Sequence, residues 1–307
     1  MLDQASQLRT QMGMRSMAAE ADTAFAQSSA NPAKVVAVAS GKGGVGKSNF
    51  CVNFGIALAQ QGVRVLILDA DVGFANVEVL LNISPSHSLL DVLEGRHLND
   101  IVEYSPYGLA FISGGNGLFD HLLMSSDDHA RLVWELGKLS QMYDVVLLDC
   151  AAGVNEVSIR LVAAADQLVL VTTPEPTAMA DAYAFMKLLT RRLITPAPQV
   201  VVNRAQSFTE AKQSVDRLTR VTSRFLDVHL ETLGYILEDP SVSQAVMRQV
   251  PVLHHAANSK AASCYRQIAS NFLRKDLQTP SLGMSGFFDR LLKSRLFGGG
   301  RDRGHGA

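Results

Sequence analysis

The sequence predicts an α/β protein: a doubly wound, mostly parallel sheet with helices on both faces. Short branched-apolar runs recur at Val35–Ala39, Val65–Leu68, Leu109–Ile112, Val145–Leu148, Leu168–Val171 and Val200–Val202. Most are continuously apolar, as strands covered on both faces must be. Stretches with helical spacing fall between and after them, at 47–61, 127–141, 177–193 and 207–228. Strand–helix alternation at this pitch is the mark of a doubly wound sheet. In such sheets ligands sit at the carboxyl ends of the strands, and the polar motifs of this chain fall there.

Composition narrows the classes. Of 307 residues, 47% are hydrophobic and 19% charged, enough to bury a core and too apolar for a largely disordered chain. Twenty-eight basic and 29 acidic residues give a net charge of −1, so no direct DNA partner is expected. Cys51, Cys150 and Cys264 lie far apart with no C-x-x-C. They argue against a disulfide framework, a structural zinc or an iron–sulfur site within one chain. The eight histidines show no H-E-x-x-H spacing. The first thirty residues lack the apolar core of a secretory signal, and no 18-residue apolar run occurs. A cytoplasmic location is expected. Composition divides the chain into an N-terminal segment and linker (1–33), a central domain (34–280) and a tail (281–307).

Directly after the first apolar run, Gly41-Lys42-Gly43-Gly44-Val45-Gly46-Lys47-Ser48 matches G-x-x-x-x-G-K-[ST] and opens a helical stretch. Glycines let backbone N–H groups curl around phosphates, and the helix N-terminus adds positive potential. A nucleoside di- or triphosphate is the implied ligand, with Asn49 at the end of the binding run; the resemblance given below makes it ATP or ADP. Lys47 would reach the β- and γ-phosphates, and the Ser48 hydroxyl would ligate Mg²⁺. A second lysine, Lys42, is not needed for binding because Lys47 already serves.

Two further strands end in carboxylates. Leu66-Ile67-Leu68-Asp69-Ala70-Asp71 places two at i, i+2, on one side if the chain stays extended. Asp144-Val145-Val146-Leu147-Leu148-Asp149 ends in a third, as a Walker B strand does. A carboxylate there polarises a water or holds a metal-bound one. Val200-Val201-Val202-Asn203 ends in an amide, both donor and acceptor, which suits an adenine edge.

The run K-G-G-x-G-K-[ST] resembles the deviant Walker A motif of the MinD/ParA class of ATPases. That resemblance implies that Lys42 reaches across an ATP-sandwich homodimer to the other subunit's phosphates. It assigns Asp71, followed by Gly73-Phe74-Ala75-Asn76, to the attacking water. It places Asp69 and Asp149 in the Mg²⁺ region, and Asn203 on adenine. Lys42, Lys47 and Asp71 are thus the expected catalytic set. Where the class usually has Ser or Thr, this chain has Cys150.

The two ends resemble the flagellar MinD-like regulators of the FlhG family. Asp3-Gln4-Ala5-Ser6-Gln7-Leu8-Arg9 matches that family's D-Q-A-x-x-L-R motif. The match implies that Asp3, Gln4, Ala5, Leu8 and Arg9 bind the GTPase FlhF and stimulate it. Glu175-Pro176-Thr177, continuing to Asp181-Ala182-Tyr183-Ala184, resembles another stretch of the family, as does Val221–Val228. In 287–297, Phe287, Phe288, Leu291, Leu292 and Leu296 share one half of a helix, with Lys293 among the residues opposite. From Met284 onward five basic and two acidic residues give +3. A helix lying on anionic lipid fits this pattern, and a helix packed back on the domain is the alternative. The resemblance further implies flagellar switch (C-ring) proteins and a flagellar transcription regulator as partners. It also implies peripheral attachment at the inner face of the cell membrane, near the pole or flagellar base.

Competing readings are a MinD-type division-site regulator, a DNA-segregating ParA and an iron–sulfur carrier on the same fold. The Asp3–Arg9 motif counts against the first, the charge balance against the second and the scattered cysteines against the third.

Overall fold

A computed structural model describes residues 32–71, 76–114, 134–191, 197–277 and 279–293. The strands are β1 (Lys34–Ala39), β2 (Val65–Ala70), β3 (Glu103–Tyr104), β4 (Ala110–Ser113), β5 (Val145–Cys150), β6 (Gln167–Thr172), β7 (Ala197–Ala205) and β8 (Glu231–Leu237). They form one sheet in the order β3-β4-β2-β5-β1-β6-β7-β8. Only β3 runs antiparallel to its neighbour, at one edge. The expected fold class is what the chain adopts.

The longer helices between and after the strands are α1 (Lys47–Ala59), α2 (Asn76–Leu81), α3 (Glu156–Ala164), α4 (Pro176–Thr190), α5 (Phe208–Leu226), α6 (Pro240–Met247), α7 (Lys260–Lys275) and α8 (Gly283–Lys293). Alternation within the strands divides the core. In β1, Val35, Ala37 and Ala39 face α3, α4, α5 and α8, whereas Val36 and Val38 face α1 and α7. Both faces being covered explains why the central strands read as unbroken apolar runs. Helix α1 is buried nearly all round, with stacked Phe50 and Phe54 rings 5.2 Å apart and Phe272 of α7 edge-on to Phe54.

Two strands have no counterpart among the expected ones. β8 is an edge strand whose ETLGYIL sequence leaves Glu231 and Thr232 exposed, so it lacks the continuous apolar run. β3 has only two residues.

Of the two placements expected for the tail, the structure holds the one packed back on the domain. Met284, Phe287, Phe288 and Leu291 of α8 are 3% exposed or less and belong to the core on the α3 side. Leu292 is half-buried, and Leu296 lies outside the described residues. The arc expected to meet lipid is turned onto the domain, so its apolar packing does not stop at residue 280. The reason is physical: an amphipathic face buries equally well in a protein groove or in lipid. Polar contacts fasten it. Arg290 meets the Asp166 carboxylate at 2.7 Å, Ser281 Oγ donates to Asp166 at 2.6 Å, and the Met284 N–H donates to Ser140 Oγ at 2.9 Å. Asp166 also accepts the Val35 N–H at 3.0 Å, tying the tail to β1. Among the described residues no helix is long and apolar enough to cross a membrane.

Candidate functional site

The loop between β1 and α1 takes its shape from glycines. Gly44 and Gly46 have φ of 78° and 88°, in the left-handed region that a side chain strains. Gly46 caps α1, and no side chain occupies the first helical N–H groups, which leaves them for an anion. Gly41 is required by contact: a Cβ there would stand 2.2 Å from the Asp181 carbonyl oxygen of α4. The loop therefore rests directly on the start of α4.

Behind the loop, Lys47 is 5% exposed and its ammonium lies 2.5 Å from Asp149 Oδ1 and 4.0 Å from Asp71 Oδ2. It also approaches Ser48 Oγ at 3.3 Å. Burial acts to lower the Lys47 pKa, but Asp149, with a lesser push from Asp71, outweighs it and the net shift is upward. Lys47 is thus held charged.

Asp69 and Asp149 stand in register on neighbouring strands β2 and β5. Asp69 accepts the Asp71 N–H at 3.0 Å and the Val77 N–H at 3.4 Å, yet burial and then the Asp149 charge raise its pKa to about 7. Asp71 is also raised, chiefly by burial and against the pull of Lys47, and accepts from Asn76 Nδ2 at 3.2 Å. Gly73, Phe74 and Ala75 lie outside the described residues.

These groups fit Mg²⁺. Asp149 is fully buried, and its Oδ2 has no hydrogen-bond partner, an orphan that a hydrated cation would satisfy. Ser48 supplies a hydroxyl, and an all-oxygen set is what this hard ion takes. Among the described residues no three His, Cys, Asp or Glu side chains are arranged to grip a metal unaided. That suits an ion that keeps waters and is held mainly by substrate phosphates. When bound, Mg²⁺ would offset charge developing on the terminal phosphates.

Lys42 lies at the outer side of the loop, 40% exposed. Its ammonium donates to Thr177 Oγ1 at 2.9 Å and meets Glu175 Oε2 at 3.5 Å. Asn203 is turned toward the loop, donating from Nδ2 to the Val45 carbonyl at 2.8 Å while its Oδ1 accepts the Arg204 N–H at 3.0 Å. A Cβ at Gly46 would stand 2.5 Å from that Nδ2. Asn49 is engaged by Tyr265, whose hydroxyl lies 3.2 Å from its Oδ1. Cys150 is fully buried, and desolvation pushes its thiol up to about 12, so it stands as an inert apolar group.

The structure brings Lys42, Lys47, Ser48, Asp69, Asp71, Asp149 and Asn203 to one end of the sheet. Asp3, Gln4, Ala5, Leu8 and Arg9 lie outside the described residues. Two features escaped the sequence reading. Thr177 meets Lys42 across 135 residues, without any local signal. Asp239, just before Pro240, caps two helices: it accepts the Ser241 N–H of α6 and the Ala261 N–H of α7, at 3.0 and 3.1 Å.

A ParA family model, described as NUBPL iron-transfer P-loop NTPase, matches residues 31–273. The antiactivator FleN of Pseudomonas aeruginosa is 41% identical over 78% of this chain and 86% of its own length. The flagellum site-determining protein YlxH of Helicobacter pylori is 32% identical over 85% of this chain and 90% of its own. The septum site-determining protein MinD of Pyrococcus horikoshii, solved with Mg-ADP, shares the fold: TM-score 0.63, 22% identity, covering 80% of this chain and 99% of that one.

Proposed function

This chain belongs to the ParA family of P-loop NTPases, among the MinD-like members, and we propose that it is a switch controlling the number and placement of bacterial flagella. It is an ATPase of the P-loop type. The observation that carries the switch reading is the pair of lysines. Lys47 is buried against Asp149, and Lys42 is held at the outer rim where a second subunit can approach.

In this reading ATP occupies the loop Gly41–Ser48, with Asn49 and Asn203 on its base-side border. Lys42 contacts the terminal phosphates of the partner subunit and closes a homodimer. Asp71 orients the attacking water, and Lys47 holds the phosphates as charge shifts between them. Ser48 would hold Mg²⁺ directly, with Asp69 and Asp149 acting through its waters. Hydrolysis is slow and resets the switch.

The output follows the FlhG resemblance. Residues Asp3–Arg9 stimulate FlhF; flagellar C-ring proteins and a transcription regulator are further partners. Membrane attachment uses the segment 287–297, through Phe287, Phe288, Leu291, Leu292, Lys293 and Leu296, at the inner face of the cell membrane near the pole or flagellar base. The helix would have to leave its seat first. Burial of a Phe or Leu stabilises by roughly 1.5–3 kcal/mol whether the apolar surroundings are protein or lipid, but leaving also bares the bed on the domain and breaks the Arg290–Asp166 pair, so a single helix favours its seat. Two helices acting together in a dimer would shift that balance toward the membrane by avidity.

Lys42→Ala should keep ATP binding and lose ATP-dependent dimers in light scattering; dimers like those of the wild type would refute the role of Lys42. Asp71→Ala should slow phosphate release about 100-fold and leave the dimer closed. For the flagellar output, a peptide of residues 1–27 should stimulate GTP hydrolysis by FlhF, and Gln4→Ala should abolish the stimulation.

A further inference from the structure

The Glu175-Pro176-Thr177 stretch has no place in the chemistry above, yet among the described residues it makes the hydrogen bonds of the Lys42 ammonium. Its geometry is built rather than incidental. Glu175 is extended (φ −57°, ψ 132°), and Pro176 opens α4, so Thr177 falls in the first helical turn. One turn further on, the Asp181 carbonyl packs on Gly41 so closely that no Cβ fits between them. Loop and helix are thus fixed against each other beside Lys42. The lysine emerges from the loop with its ammonium 2.9 Å from the Thr177 hydroxyl.

From this we infer that Thr177 is a positioning residue that rests Lys42 on its own subunit, in competition with the partner subunit's nucleotide. The inference builds on the dimer reading of Lys42 given above. A lysine ammonium has three donors, but its stem reaches one place at a time. Reaching across to a partner's phosphate takes it out of range of its own Thr177. That contact is lost whenever the dimer closes, and closing a symmetric dimer loses it twice. The rest therefore opposes closure until ATP offers phosphates that attract the ammonium more strongly than a neutral hydroxyl and an exposed carboxylate do. Glu175, 63% exposed, adds a screened attraction in the same direction.

The test is the dissociation constant of the full-chain dimer with a non-hydrolysable ATP analogue and Mg²⁺, measured by sedimentation. Thr177→Val keeps the shape and removes the hydroxyl. It should tighten the dimer about fourfold, from a factor of roughly two for each of the two exposed contacts released. Thr177→Ser restores the hydroxyl and should return the wild-type constant. A Thr177→Val dimer no tighter than wild type, with an unchanged thermal midpoint, would overturn the inference. So would tightening by Thr177→Ser as well, because the hydroxyl would then not be the cause. Lys42→Ala separates the two levels: if it dimerises as tightly as wild type, the dimer reading of Lys42 itself fails, whatever Thr177 does.

Discussion

The two ends of the sheet both bury charge, and they do so in opposite ways. At the carboxyl ends of the strands Asp69, Asp71 and Asp149 crowd around the single buried lysine Lys47, with Asp149 Oδ2 unpartnered. At the amino ends the carboxylates are engaged. Asp166 takes Val35, Ser281 and Arg290, and Asp276 takes both contacts from Gln199, which in turn accepts from Gln167. Lys34 reaches the Asp276 carbonyl at 2.6 Å and the Thr279 hydroxyl. Buried polar groups are expensive unless paired. The paired end is architecture, holding the connector to α8. The other end, with three carboxylates around one lysine, carries an electrostatic deficit that a hydrated cation would relieve.

Substitutions at each end should separate these roles, and the largest effect belongs to the paired end. Asp166→Ala strips partners from a strand N–H, a hydroxyl and a guanidinium together. It should cost about 3 kcal/mol in urea unfolding, less any relief from the part-exposed Arg290. A loss under about 1 kcal/mol would mean that α8 is held by its apolar face alone.

The opposite sign is expected at the crowded end. Asp69 has a folded pKa of about 7 against an ordinary 3.8. A raised pKa means that the folded state holds its proton longer. The stability this contributes is present in full below about pH 4 and is lost as pH rises through about 7. Without added nucleotide or Mg²⁺, Asp69→Asn should therefore gain relative to wild type between pH 5 and pH 8 by about 2 kcal/mol. Comparing the two pH values cancels the fixed cost of turning an amide toward the Asp71 and Val77 N–H groups. A pH-independent difference would remove Asp69 from the electrostatic deficit.

The smallest effect tests whether charge or burial matters. Arg64 and Asp144 pair at 2.6 Å at the amino end as well, but on the surface, with Arg64 57% exposed. Arg64→Ala should cost no more than about 0.5 kcal/mol in the same urea assay. A larger loss would place exposed pairs beside Asp166 in importance.

How much of this was legible in the sequence depended on whether a residue's partner was local. Gly44, Gly46 and Lys47 are read directly, because strand, turn and helix follow one another within a dozen residues. Asp149 is legible as the polar end of an apolar run, although its pairing with Lys47 spans 102 residues. Thr177 and Asp239 were not legible in their roles, since a hydroxyl in a helix start and an acid before Pro240 look alike in many settings. The orientation of α8 was undecidable from its own residues: Phe287 and Phe288 need an apolar surface, and the helix does not say which. β8 was missed because an edge strand needs only one buried residue in two or three, here Leu233 and Ile236.

The seat of α8 also bears on how the protein is made. Strand β1 and the segment from Ser281 to Leu291 lie together on one side of the sheet, linked through Ala33, Val35 and Asp166. A ribosome delivers β1 early and Leu291 some 250 residues later, at a few residues each second. Once β5 and β6 have joined β1, the nascent sheet exposes the apolar bed that Phe287 and Phe288 will fill until the tail is made. A chaperone that shields that bed, or a translation pause that prolongs its exposure, would therefore bear on the yield of this protein.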